Sequence, residues 1–209
     1  GVREVPLFVV SHFHVDHVGG VAGVFRGRRV AAVLTPALTE PETGQALVRE
    51  AADGGDARLL TATAGTTYRA GGAELVVLGP PYPLRGTRSD PNNNSLVLRA
   101  TVRGVRLLLP GDAETEEQRA LLDRVPHDVL RADVLKVAHH GSAYQDPEFL
   151  DAVRPAVALV PVGAGNDYGH PSPGLLARLA RNGARVLRTD VDGDVAAVRR
   201  DGGLAVVAR

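Results

Sequence analysis

Four clusters of metal-ligand-type side chains each stand just past the end of a short apolar run, and this pattern constrains the chain more than any other. Residues 5–10 lead into Ser11-His12-Phe13-His14-Val15-Asp16-His17. Residues 105–109 lead into Pro110-Gly111-Asp112. Residues 134–138 lead into His139-His140-Gly141-Ser142, and residues 157–160 lead towards Gly169-His170-Pro171. Runs this short and this rich in branched aliphatic residues read as buried strands. Strand ends of this kind can converge on one rim of a sheet, where binding loops sit.

The intervening sequence supplies the rest of the architecture. Further strands are expected at 29–34, in short pieces through 58–78, at 95–102 (turning at Arg103-Gly104 into 105–109), and at 186–189, 194–198 and 204–207. Helices are expected to begin within 19–25 and to cover 42–52 and 114–123. Asp146-Pro147 marks a capped start for a helix over 147–153, and Ser172-Pro173 marks another ending at Asn182-Gly183. Residues 79–94, rich in Pro, Gly and Asn, form a loop. Strand–helix alternation with hairpins points to a layered α/β fold with mixed sheets. At 209 residues the chain is long enough for one domain with a sizeable core, taken as residues 1–209.

Composition narrows the chemistry. There is no cysteine, so disulfides and thiolate ligands are excluded. Formal net charge is zero, which gives no strong overall field towards nucleic acid or anionic lipid. Of the 24 basic residues only Lys136 is a lysine, a bias that reads as GC-rich coding. No apolar run approaches the roughly 20 residues of a membrane span. The chain opens without methionine and reaches its His-rich loop at once, so it reads as a piece of something longer.

In His12-x-His14-x-Asp16-His17, residues two apart in extended backbone point the same way. His12 and His14 can therefore clamp one cation from one side, and a turn at Asp16-His17 can offer a second cation a carboxylate and an imidazole. Imidazole with carboxylate suits Zn, Mn or Fe. The plain alternative is a His-rich surface loop. Gly111 allows the sharp turn that would release the Asp112 carboxylate into a site, where its two oxygens can bridge two cations. An N-cap for the following helix is the other use of such an Asp. In His139-His140-Gly141-Ser142 one imidazole can ligate while the other hydrogen-bonds or donates a proton. Gly141 and Ser142 can offer donors to a phosphate. Asn94 and Ser95 either line the site or form a polar turn, and Arg85 and Arg88 are candidate phosphate contacts. His127 has no motif company and reads as a surface residue. Two cations sharing a hydroxide would need no Ser or Cys nucleophile. Spacing alone does not choose among ester, lactam and phosphodiester.

The His-x-His-x-Asp-His loop followed by Gly-Asp resembles the metallo-β-lactamase superfamily. The ordered segments Asn92-Asn93-Asn94-Ser95-Leu96-Val97-Leu98, Leu109-Pro110-Gly111-Asp112, Leu135-Lys136-Val137-Ala138-His139-His140-Gly141-Ser142 and Asn166-Asp167-Tyr168-Gly169-His170-Pro171 carry a narrower resemblance. With Arg188-Thr189-Asp190 and Gly193, they are similar to the C-terminal hydrolase domain of the ComEC family of DNA-uptake channels. The resemblance covers nearly the whole chain.

It implies an αββα sandwich, truncated at its N-terminal strands, with two divalent ions, manganese or zinc. His12 and His14 would hold one ion, Asp16 and His17 the other. Asp112 would bridge, His139 and His170 would complete the spheres, and His140 would ligate or donate a proton. The partners implied are DNA, single-stranded in the sense of the non-imported strand, and the membrane-channel portion of the parent protein. The parent would sit in the bacterial cytoplasmic membrane with this domain outside it. A small-molecule esterase or phosphoesterase and a non-catalytic, metal-stabilised DNA-handling module are the competing readings. One departure is plain: no histidine lies between His17 and Asp112, where many superfamily members carry another ligand.

Overall fold

A computed structural model of the chain describes residues 1–200 and 202–209. The first apolar run is split. Strand β1 (Glu4–Val5) and strand β2 (Phe8–Val9) lie in different sheets, separated by Pro6, which has no N–H to give to a ladder. One-turn helix α1 (Val15–Val18) and helix α2 (Val21–Phe25) follow. The expected strand at 29–34 is likewise two, β3 (Arg29–Val30) beside β1 and β4 (Ala32–Thr35) beside β2. Helix α3 (Glu42–Gly54) then returns the chain to β5 (Arg58–Thr61), which pairs parallel with β4.

The larger sheet begins with β6 (Thr67–Ala70) and β7 (Ala73–Gly79). After the loop come β8 (Val97–Val102) and β9 (Val105–Leu109), then helices α4 (Thr115–Arg124) and α5 (His127–Leu130). Strand β10 (Val134–Lys136), helix α6 (Pro147–Val153), β11 (Val157–Val160), helix α7 (Pro173–Arg181) and β12 (Arg185–Arg188) build its parallel half. A short helix α8 (Thr189–Asp192) leads to the hairpin β13 (Val195–Arg200) and β14 (Gly203–Ala208). The spatial order is β12-β11-β10-β9-β8-β7-β6, parallel from β12 to β9 and antiparallel from β9 to β6. Asp146 caps α6 as expected, accepting the N–H groups of Glu148 and Phe149. Ser172 holds the N-cap backbone position of α7 but makes no side-chain cap bond.

The alternation of side chains along each strand explains the layers. Leu108, Leu135, Ala158 and Val160 face one side of the large sheet and pack with Leu121, Leu130, Phe149, Leu150 and Leu179 of the helices. Side chains of the other face, Val77, Leu98 and Leu109, meet Leu34, Val9 and Leu60 of the small sheet. Further along that face, Val134, Val157 and Leu187 are covered by the closing hairpin through Val195, Ala197, Leu204 and Val206. Helices α1 to α3 cover the outer face of the small sheet through Val18, Val21, Val48 and Ala52. The result is helix, sheet, sheet, helix, the αββα arrangement that the family resemblance implies. Burial of a single Leu or Phe in these layers contributes about 1.5–3 kcal/mol. The ends of β2, β9, β10 and β11 open onto the same rim.

Candidate metal centre

The rim is built loop by loop. After β2 the backbone stays extended through His14, whose φ of −63° and ψ of 147° place it as the cap of α1. One helical turn buries Val18 and turns Asp16 and His17 towards the large sheet. His12 is buried, and its Nε2 lies 3.1 Å from His14 Nδ1. Burial, followed by the neighbouring His17, pushes the His12 imidazole down to a pKa of about 3.

Asp112 enters from β9. Gly111 sits at φ +56°, and a Cβ there would come within 2.8 Å of Ser95 Cβ and 2.9 Å of Ser11 Cβ. The turn therefore requires glycine twice over, for conformation and for space. Ser95 Oγ accepts the Asp112 N–H at 3.1 Å. Glu114, not Asp112, occupies the N-cap of α4, so the Asp112 carboxylate is free for the site. Burial opposes its charge, but the His17 hydrogen bond and the Lys136 ammonium outweigh that and hold it far below the usual carboxylate range.

The third contribution comes from strained backbone. His139, His140 and Gly141 have φ of +46°, +51° and +84°, three successive residues in left-handed conformation. The two imidazoles diverge as a result. His140 Nδ1 lies 2.8 Å from the carbonyl of Pro161 and donates to it, which directs Nε2 into the site. That Nε2 lies 3.2 Å from Asp16 Oδ2, 3.5 Å from Asp112 Oδ2 and 3.3 Å from His17 Nε2. His17 Nε2 is 3.1 Å from Asp112 Oδ2, and Ser11 Oγ stands 3.3 Å from its Nδ1. The bond to Asp16 raises the His140 pKa, and the same bond holds the Asp16 carboxyl down at about 2.

One donor atom each from Asp16, His17, Asp112 and His140 thus lies within 4.8 Å of all the others. A tetrahedral ion with bonds of about 2.0–2.1 Å has donor–donor edges of about 3.3 Å. Five of the six donor–donor separations are 3.1–3.6 Å, close to that edge, and the sixth, between the two carboxylates, is within 4.8 Å. Residues 4–163 match the profile of the Metallo-beta-lactamase superfamily. The chain belongs to that superfamily. It is 30% identical over 196 residues to ComE operon protein 3 of Bacillus subtilis, covering 93% of this chain and 25% of that protein. It is 29% identical over 202 residues to Competence protein ComA of Neisseria gonorrhoeae, covering 92% of this chain and 25% of that protein. The chain therefore spans about a quarter of the length of these relatives. The expected resemblance to the ComEC family is borne out by these matches. Among solved structures, CmlA, a diiron beta-hydroxylase from Streptomyces venezuelae, shares the fold with a TM-score of 0.60 at 15% identity, over 89% of this chain and 44% of that one.

Within this metallo-β-lactamase fold, the other residues singled out in the sequence have distinct places. His139 stays outside the four-donor group, 4.0 Å from Asp112 Oδ2, with its Nδ1 2.9 Å from buried Glu114 Oε1. Asn92 Nδ2 donates to the same Glu114 oxygen. His170 packs its ring against His139 at 5.2 Å and beneath Tyr168 at 6.4 Å. Burial, then His139, lowers the His170 pKa. Asn94 does not face the centre. Its amide clamps the preceding loop through Leu84 and the carbonyl of Asp90. Ser95 supports from behind, between His12 and Asp112. Ser142 is fully buried, gives its N–H to the His139 carbonyl, and takes the Tyr144 N–H on its hydroxyl. Gly141 is buried against Pro171, and its carbonyl accepts the Ser172 N–H. Both residues shape the turn instead of presenting donors to a ligand. Arg85 pairs with Glu40, whereas Arg88 lies over the Tyr144 ring and 3.6 Å from Glu114. His127 is exposed.

Two residues of the centre escaped the sequence reading. Glu114 stood inside an expected helix and looked like ordinary helical charge. Lys136, the lone lysine among 24 basic residues, sends its Nζ 2.7 Å to the Gly111 carbonyl and 3.2 Å to Asp112 Oδ1. Its singularity at the end of an apolar strand was the available signal.

Proposed function

We propose that this superfamily domain is a metal-dependent phosphodiesterase that hydrolyses DNA as part of a competence-type DNA-uptake protein. The observation that carries the reading is the four-donor group, two of whose members, Asp16 and His140, line a cavity of about 280 Å3 together with His14, Asn92, His139, His170 and Tyr168. A divalent cation held by Asp16, His17, Asp112 and His140 supplies Lewis acidity and lowers the pKa of a water it binds. Manganese and zinc both suit this mixed nitrogen and oxygen set.

The chain's own residues provide the rest. His139, backed by Glu114, presents Nε2 towards the cavity beside Asp112, where it can hand a proton to a departing oxygen. Tyr168 is 82% exposed at the cavity mouth and offers a face on which an unpaired base can stack. That favours single-stranded over duplex substrate. The competence relatives support a role in DNA uptake, and the proposal extends this to a domain beside a membrane channel, outside the cytoplasmic membrane, acting on the strand that is not imported. No helix among the described residues is long and apolar enough to cross a membrane.

The test is a manganese-supplemented digest of labelled single- and double-stranded DNA, run beside nitrocefin, a thioester and a phosphocholine ester. Single-stranded DNA is expected to be cut fastest, with binding that weakens as salt rises because phosphate contacts release counterions. Intact DNA with turnover of a small ester that His140→Ala abolishes would replace this reading with a small-molecule esterase. Binding of DNA without any turnover would leave a DNA-handling module.

A further inference from the structure

The His-rich loop invites a two-ion centre, but the surroundings of Asp112 argue otherwise. We infer that the centre holds a single divalent ion, among Asp16, His17, Asp112 and His140, and that the Lys136 ammonium stands where a second ion would meet Asp112. The inference rests on the metal-dependent reading above and refines it.

A carboxylate that bridges through both of its oxygens gives one to each ion. Asp112 Oδ2 faces His17 at 3.1 Å and His140 at 3.5 Å, so that oxygen belongs to the four-donor group. Its Oδ1 faces Lys136 Nζ at 3.2 Å. The ammonium is anchored independently by the Gly111 carbonyl at 2.7 Å. Strands β9 and β10 are adjacent and parallel, with Leu108 opposite Leu135, so the end of one strand delivers Lys136 to the turn that ends the other. A second cation on Oδ1 would share one oxygen with a fixed positive charge.

The donors left over are too few. His12 Nε2 and His14 Nδ1 lie 3.1 Å apart, a spacing at which two imidazoles can share a proton or flank one ion, but they are only two donors. No histidine occurs between His17 and His127 to join them. The far side of His12 is taken by the hydroxyls of Ser11 and Ser95, at 3.3 and 3.4 Å. Among the described residues no second group of three His, Asp or Glu donors converges. Protein zinc sites use three or four protein ligands, whereas beside His12 and His14 no third donor converges among the described residues. In place of a second metal, the fixed ammonium neutralises the buried carboxylate and orients it, which makes Lys136 a positioning residue.

The experiment is ion counting by plasma mass spectrometry on the full 209-residue chain, equilibrated with manganese or zinc chloride and desalted. The expected result is one ion per chain, retained by a His12→Ala/His14→Ala double variant and lost in His140→Ala, with each fold checked by circular dichroism. Anomalous scattering from manganese-soaked crystals of the unaltered chain should show one peak, among the four named donors. Lys136→Met should keep the ion while losing at least 10-fold in hydrolysis, and Lys136→Arg should recover part of that loss. Two ions per unaltered chain, two peaks, or loss of the ion in a folded Lys136→Met or His12→Ala/His14→Ala variant would overturn the inference. One bound ion without DNA cleavage would overturn the nuclease reading and leave this one standing.

Discussion

Asp112 is buried, receives His17 on one oxygen and Lys136 on the other, and keeps its charge against the cost of burial. Removing it leaves an ammonium without its partner and the donor group without one of its carboxylates. Asp112→Ala should therefore lower kcat/KM for the hydrolysed substrate by more than the 10- to 100-fold typical of losing an outer support. His127→Ala, at an exposed position, should stay within about twofold. Equal losses in two folded variants would remove Asp112 from the centre. At this scale the sequence was legible wherever residue type and short spacing decide the chemistry, as in Asp16, His17 and Asp112. It was not legible for the choice between His139 and His140. That choice depends on consecutive left-handed residues and on a bond from His140 to the carbonyl of Pro161, on a different strand end. Nor does spacing reveal that Asn94 spends its amide on Leu84 and Asp90.

Elements set how those residues can be presented. The turn after β10 is held in left-handed conformation up to Gly141, where an added Cβ would fall 2.5 Å from Pro171 Cβ. Gly141→Ala should cost about 2–4 kcal/mol by urea unfolding, combining left-handed strain with overpacking. A loss under about 0.5 kcal/mol would show the turn to be soft. Helix α4 carries a second tension. Glu117 is fully buried, and burial raises its pKa well above the usual carboxyl value, against a weaker opposing bond from the Ser95 backbone. A raised folded pKa means the contribution is present below the unfolded value and is lost as pH rises through the folded one. Glu117→Gln should therefore gain on the unaltered chain by up to about 1.4 kcal/mol per pH unit above about 4.5, until the folded pKa is reached. Urea unfolding at pH 5, 6 and 7 measures it, and a pH-independent difference would contradict it. Helices with caps and strands with clear alternation were legible in the sequence. The splits at Pro6 and at Ala31 were not, because an apolar run does not say which of two sheets each half joins.

The whole molecule is closed across its rim by the donor group. Asp16 and His17 come from α1, packed on the small sheet, while Asp112 and His140 follow β9 and β10 of the large sheet. An ion held by all four would tie the two sheets together at this rim, and its binding energy would add to folding stability. Four donors drawn from three separate loops are not assembled in the unfolded chain, so the ion binds the native state preferentially. A free concentration 100 times the dissociation constant then stabilises by about 2.7 kcal/mol. For a chain of this size each kcal/mol moves Tm by about 2–4 °C, so manganese or zinc should raise Tm by about 5–11 °C. A chelator should reverse the shift. Asp16→Ala and His140→Ala should abolish most of it while leaving the metal-free Tm within a few degrees, since neither residue belongs to the apolar core. Scanning calorimetry with and without the ion distinguishes the cases. A Tm indifferent to both metal and chelator would mean that the four side chains meet at this rim without holding an ion between the sheets.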